Sequence, residues 1–293
     1  IVVSTKDCNN CVFILPKKYV QIKDIVLEYN AISLLRSKAL NDKVLFEEYE
    51  VIYDDLKEII TDFINSYTRP EEFKSFYIYR GKKQNISRKA TFTGLLSDIC
   101  DELYPLTPVI NNEAINRNEI TSIANNSRNK IVAGLLRNEL EKNLGLSGSG
   151  QEVSIMRSTL IRTGVLIEDN DILRVDLHPQ DELLENMLNC IVSFILDIST
   201  KGKQNFADLY NELSTSKNQI GLRKGLIPIY LAAVFHEYKQ HLIICDRYSQ
   251  VQINADTLMQ INANPELYTL SYLDWNPEKE EFISRLSDVF SDF

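Results

Sequence analysis

Histidine is scarce in this chain: three in 293 residues, at 178, 236 and 241. So few imidazoles leave little room for base-assisted nucleophilic catalysis, and none of the three has a serine or cysteine context that reads as a catalytic set. Cysteine is sparse and odd in number, with five at 8, 11, 100, 190 and 245. That scatter argues against a disulfide framework and for reduced thiols. No uninterrupted apolar run approaches the ~18 residues that cross a bilayer, and no charged-then-apolar leader opens the chain. The expectation is a soluble, cytoplasmic protein that makes no membrane contact. Because the chain starts at Ile1 without a methionine, it reads as a piece of a longer protein.

Phosphate-loop chemistry is missing too. No G-x-x-x-x-G-K-[ST] occurs, and Gly81-Lys82 and Gly202-Lys203 lack both the preceding glycine and the following hydroxyl residue. The glycines of Gly145–Gly150, GLSGSG, follow a helical pattern rather than a strand, which speaks against a dinucleotide site. No cofactor is expected. Positive charge is in deficit overall, at a net −9, with 15 basic against 13 acidic residues over 1–90, 8 against 12 over 91–180 and 9 against 16 over 181–293. A broad nucleic-acid footprint is therefore disfavoured in the last two thirds, although a local basic strip stays open.

What is present is a clear alternation of apolar patterns. The most apolar stretch runs from Gln219 to Asp246, where Gly221 and Gly225 bracket Leu222, Arg223 and Lys224, and Pro228 suits the first turn of a helix. Apolar residues cover most of the circumference from Leu226 to Phe235, so this predicts a buried central helix ending near Tyr238, followed by a strand over His241–Asp246. Upstream, Ile1–Ser4 and Cys11–Leu15 read as short strands, and helical spacing over Ile22–Leu40 and Leu45–Tyr67 predicts an antiparallel hairpin with one apolar seam. Pro70 ends that hairpin, and a β-hairpin follows around Gly81–Lys83.

From Thr91 the order becomes helix (Leu95–Leu103), asparagine-rich turns (Val109–Ile120), long helix (Thr121–Asn143, with Ile123, Ile131, Leu135 and Leu136 inward), helix (Ser154–Thr163) and hairpin (Val165–Asp176). A similar order returns in helices over Leu183–Ile198, Asn205–Leu213 and Leu226–Tyr238, then a hairpin of Leu242–Cys245 with Val251–Asn254. Asn276-Pro277 caps a last helix with Phe282, Leu286, Val289 and Phe290 on one face. The expected fold class is mainly α with small β-hairpins (α+β). Residues 1–89 form the strand pair, helical hairpin and β-hairpin, 90–180 and 181–275 two winged-helix-like modules, and 276–293 a terminal helix.

Candidate chemistry is thin. His236 and His241 in HEYKQH lie five apart, about 140° round a helix, whereas the zinc-protease spacing of four puts both rings on one metal. Cys8 and Cys11 make a lone C-x-x-C with no second pair to complete a zinc site. Glu72-Phe73-Lys74 matches an E-x-K nuclease fragment, but Asp62, the nearest upstream acid, falls on the helical hairpin. No catalytic or metal residue is assigned. Arg223 and Lys224 stand out because positive charge at a helix N-terminus opposes the helix dipole, so a phosphate or an acid from another module should offset it. Arg117, Arg128, Lys130 and Arg137 pose the same choice between a nucleotide and a partner acid.

Three segments taken together, Leu96–Leu136, Val153–Gly164 and Ile220–Phe235 followed by NPELYTL, carry the ordered patterns INNE-x-x-NR and G-x-R-x-G-x-x-P. Over roughly Thr91–Leu270 the chain resembles a central-to-C-terminal region of very large P-loop ATPases of bacterial phage-defence clusters of the BREX kind. That family's ATP-binding motifs match nothing here, so no catalytic residue carries over. The resemblance implies a non-catalytic regulatory or interaction fragment that docks to other domains of its parent or to sister defence proteins. The competing expectation is a DNA-binding winged helix, and a stand-alone hydrolase or nuclease is the third.

Overall fold

A computed structural model describes residues 8, 10–18, 21–169, 172–273, 279, 281, 282, 284 and 285. The expected strand at Ile1–Ser4, the cap at Asn276-Pro277 and the residues Leu286, Val289 and Phe290 lie outside the described residues, as do positions 170 and 171 of the expected turn. The fold is mixed α+β, with helices predominating and small antiparallel sheets. It divides into two compact units, 1–103 and 104–293. The sequence reading placed its divisions at 90 and 181 instead. The helix that starts at Lys89 stays with the first unit, and residues on both sides of 181 contribute to one apolar core.

In the first unit, strand β1 (Phe13–Pro16) precedes helices α1 (Lys23–Lys38) and α2 (Lys43–Thr68), then strands β2 (Ser75–Tyr79) and β3 (Lys82–Gln84) and helix α3 (Lys89–Leu103). β2 is the centre of the sheet, pairing Phe13 with Ile78 on one side and Tyr79 with Lys82 on the other. The turn residues are Arg80 and Gly81, with φ of 49° and 72°, the left-handed pair that a two-residue hairpin needs. Asp42 starts α2 by accepting from the Leu45 N–H at 3.1 Å, and Pro70 follows its end.

The two long helices meet through aromatic and guanidinium contacts rather than through an aliphatic seam. Tyr29 stacks on Tyr53 with ring centroids 4.7 Å apart and hydroxyls 2.6 Å apart. Arg36 lies over Phe46 and Tyr53 and binds Glu50 at 2.8 Å. Of the seven seam residues expected on α2, Leu56 is buried, Tyr49, Phe63 and Tyr67 are half-buried, and Leu45, Ile52 and Ile59 remain exposed. The heptad pattern is real, but only part of it faces inward.

The second unit is built round helix α8. Its elements in order are α4 (Ser122–Leu135), α5 (Gln151–Met156) running on as a π-turn over Arg157–Ile161, β4 (Leu166–Asp169), β5 (Ile172–Val175), α6 (Glu182–Lys201), β6 (Gln204–Asn205), α7 (Phe206–Ser214), α8 (Ile227–Tyr238), β7 (Leu242–Cys245), β8 (Gln250–Val251), α9 (Ala255–Ala263) and β9 (Thr269–Tyr272). Every residue of α8 from Ile227 to Phe235 is buried, because α4, α6 and α9 pack on it from different sides. Its polar handle is satisfied internally: the Tyr230 hydroxyl donates to the Thr159 carbonyl at 3.0 Å, and burial pushes that phenol's pKa up.

Three local expectations fail for visible reasons. α4 stops at Leu135 instead of continuing to Asn143, since Asn143 and Leu144 adopt left-handed φ of 52° and 56° and fold the chain back. Leu144 then lies so close to Gly134 that a β-carbon there would sit 2.6 Å from the Leu144 carbonyl oxygen. Ile123 was expected inward and is 69% exposed, while Ala124, Arg128, Ile131 and Leu135 take the inner face. Asn254 does not end a strand but caps α9, accepting from the Thr257 N–H at 2.9 Å. β9 then enters between β6 and β7, placing Leu270 opposite Ile244, so the last hairpin belongs to a four-stranded sheet of order β6-β9-β7-β8.

Among the described residues, α6 is the helix long and apolar enough to cross a membrane by length and composition. Its Leu184, Met187, Leu188, Ile191, Ile195 and Ile198 are core residues of this unit.

Phe235→Ala, which opens a void inside a fully buried helix, is expected to cost about 3–5 kcal/mol in chemical denaturation. Tyr230→Phe, losing only the hydroxyl bond to Thr159, should cost about 1–2 kcal/mol. A loss below ~1 kcal/mol for Phe235→Ala would show that the unit is not assembled on α8.

Candidate functional site

The two patterns INNE-x-x-NR (Ile110–Arg117) and G-x-R-x-G-x-x-P (Gly221–Pro228) are more than a hundred residues apart in sequence and fold onto each other. Asn112 shapes the first. Its carboxamide oxygen accepts from the N–H groups of Ala114 and Ile115 at 3.1 and 3.3 Å, and its amide donates to Ser158 Oγ at 2.8 Å. Asn116 closes the turn by donating to the Ile110 carbonyl at 3.1 Å. Asparagine can do this because one short side chain both accepts and donates beside its own backbone.

The second pattern docks on that turn by backbone contact. Gly225 N–H donates to the Arg117 carbonyl at 2.8 Å, and Lys224 N–H donates to Asn118 Oδ1 at 3.2 Å. Gly225 is required by space: a β-carbon there would lie 2.1 Å from the Ile115 carbonyl oxygen and 2.8 Å from that of Arg117. Gly221, at φ 61°, faces the Tyr104 ring, which a β-carbon would meet at 2.5 Å. Pro228 falls in the first turn of α8, where its missing N–H costs nothing.

Arg128 locks the junction from beneath. Its side chain is buried, and Nη1 donates to the carbonyls of Gly225 and Lys224 at 3.2 and 3.4 Å while Nη2 donates to Asn125 Oδ1 at 2.7 Å. Nε has no partner, and burial pulls the guanidinium pKa down to about 10. So Arg128, for which a nucleotide or a partner acid was the open choice, faces two backbone carbonyls and an amide instead.

The other cations divide. Lys130 pairs with Glu152 at 2.9 Å, which holds the Glu152 carboxyl below its usual range, and Arg137 pairs with Glu141. Arg117, Arg223 and Lys224 are exposed and make no ion pair among the described residues. The Gly225 N–H bond to the Arg117 carbonyl and the Lys224 N–H bond to the Asn118 side chain bring the two loops that carry these cations together, just ahead of the N-terminus of α8. Beside Lys224 opens a cleft of about 530 Å³ lined by Asn118, Glu119, Ser214, Asn262 and Ala263. The buried Tyr210 hydroxyl reaches Asn262 Oδ1 at 3.1 Å.

His236 and His241 serve the frame. His236 Nδ1 lies 2.8 Å from the Leu135 carbonyl, and Lys239 Nζ donates to the Leu136 and Arg137 carbonyls at 3.2 and 2.9 Å, so both finish the C-terminal end of α4. His241 stacks on Tyr272. Glu72 and Lys74 bind one another at 2.6 Å on the turn after α2. Cys8 and Cys11 are free thiols, and among the described residues no three of His, Cys, Asp or Glu converge in a metal-holding group. The chain has no significant match to a family model, a curated protein or a solved structure.

Gly225→Ala should force the 115–117 backbone away and cost about 1–3 kcal/mol. Arg128→Ala, which strips two carbonyls of their donor, should cost about 2–3 kcal/mol. Thermal and urea unfolding would check both, and a neutral Arg128→Ala would remove the lock.

Proposed function

We propose that the chain is a non-catalytic docking and regulatory region of a larger P-loop ATPase of the phage-defence, BREX-type kind, with ATP hydrolysis performed by a part of the parent outside this chain. It works in the cytoplasm. The observation that carries the reading is the corner of Arg117, Arg223 and Lys224, three exposed cations in no ion pair among the described residues, held on a scaffold in which two glycines, three asparagines and a buried arginine fix the backbone. The partner contact is an acidic surface of a sister protein or of the ATPase core. The same two patterns that carry the resemblance build this corner, which supports reading it as the family's working surface.

The finer architecture we read is two winged-helix-like halves that share one apolar core. Supporting it are the successions α4, α5, β4–β5 and α6, α7, α8, β7–β8. In the second succession the third helix is the one that would enter a DNA groove, yet α8 is buried from Ile227 to Phe235 and has no free face to insert. Duplex binding would therefore have to use the loop cations alone, without base contacts.

Fluorescence anisotropy with a labelled polyglutamate peptide and, separately, a random-sequence duplex DNA distinguishes the readings. At low salt the peptide should bind, and the triple change Arg117→Glu, Arg223→Glu, Lys224→Glu should weaken it by about threefold to a hundredfold, since each exposed charge contact contributes about 0.2–1 kcal/mol. Peptide binding that ignores the triple change would sink the docking corner. Tighter duplex binding that the same variant abolishes would install the DNA reading in its place.

A further inference from the structure

Helix α2 carries a stripe with no counterpart in the fold. Leu45, Ile52 and Ile59, spaced by seven residues, are 38%, 39% and 48% exposed, and Val44 and Val51 stand beside them in solvent. The stripe is about 21 Å long, three contact positions over two heptads of helix. α1 does not cover it, because α1 meets α2 on the side of Phe46, Glu50 and Tyr53. Three residues after each stripe position comes an exposed acid, Glu48, Asp55 and Asp62, about 60° round the helix. None of these three acids is in an ion pair among the described residues.

Over residues 43–68 the helix holds seven acidic residues against Lys43 and Lys57. That charge chooses the occupant. A second copy of α2 would set one acidic row against another, and like charges at flanking heptad positions repel. Nucleic acid and anionic lipid are refused on the same ground. We infer that α2 is a half-made coiled coil whose missing strand is a basic amphipathic helix of a partner protein, with leucine- or isoleucine-type residues at its seam and lysine or arginine beside them. This surface is separate from the cation corner and takes a partner of opposite charge, so either can fail without the other.

The test uses the full 293-residue chain and two labelled synthetic peptides of about three heptads sharing one Leu/Ile seam, one with Lys and one with Glu at the flanking positions. The Lys peptide should bind in a salt-dependent way, and the Glu peptide should bind at least tenfold more weakly. Ile52→Ser with Ile59→Ser should weaken the Lys peptide tenfold or more, and Asp55→Lys with Asp62→Lys should do so while improving the Glu peptide. All four positions are exposed, so the thermal midpoint should hold and serve as the folding control. No binding of the Lys peptide, equal binding of both peptides, or a concentration-dependent dimer that Ile52→Ser with Ile59→Ser dissolves would each overturn the inference.

Discussion

The backbone of residues 115–117 approaches Gly225 to within hydrogen-bonding distance, and the second unit depends on that approach. It fixes the loop ahead of α8, and α8 is the member that α4, α6 and α9 share. A fully apolar helix gains burial free energy on every side, at roughly 25 cal/mol per Å², but its first turn still presents unpaired backbone groups. Here those ends are handled by neighbours. Proline removes one donor, Arg128 supplies donors to the two carbonyls before the helix, and His236 and Lys239 near its far end attend instead to the carbonyls of α4. His236 and Lys239 thus finish α4, while Arg128 of α4 fixes the loop that leads into α8.

Burying Arg128 without a carboxylate is an uncommon arrangement, and the lowered pKa records its desolvation. The guanidinium tolerates it because its planar fork reaches three acceptors at once, which an ammonium could not do from the same position. The consequence for function is indirect. With Arg128 spent on the scaffold, the charges left to meet a partner are those on the outside of the same loop. The first unit has the opposite character: an acidic, half-exposed helix whose aromatic and arginine contacts hold α1 and leave aliphatic residues in solvent.

Much of the fold was legible because its signals are local. Prolines at 70 and 228 and the left-handed Gly164 mark element ends wherever they occur, and the structure adds caps at Asp42, Thr121 and Asp181. Less legible were α9 and β9, hidden in a stretch where Asn254 reads equally as a strand end or a helix cap. The overlong reading of α4 has a similar origin, since nothing near Leu135 forbids a further turn and only the return of Leu144 over Gly134 ends it. For the site, the unusual density of asparagine in Val109–Ile120 and the paired glycines were visible, but not that they touch.

Taken alone, the sequence determined most of the helices, which of them is wholly apolar, the mainly helical α+β class and the sign of charge along each stretch, because propensity, capping and periodicity act within a few residues. Tertiary structure alone decided that the two patterns form one corner, that Arg128 faces carbonyls while Arg117, Arg223 and Lys224 face solvent, and that Leu45, Ile52 and Ile59 stay uncovered. Those outcomes turn on contacts between residues up to more than a hundred positions apart, and the spacing of residues along a chain carries no measure of which distant surface will come to rest against them.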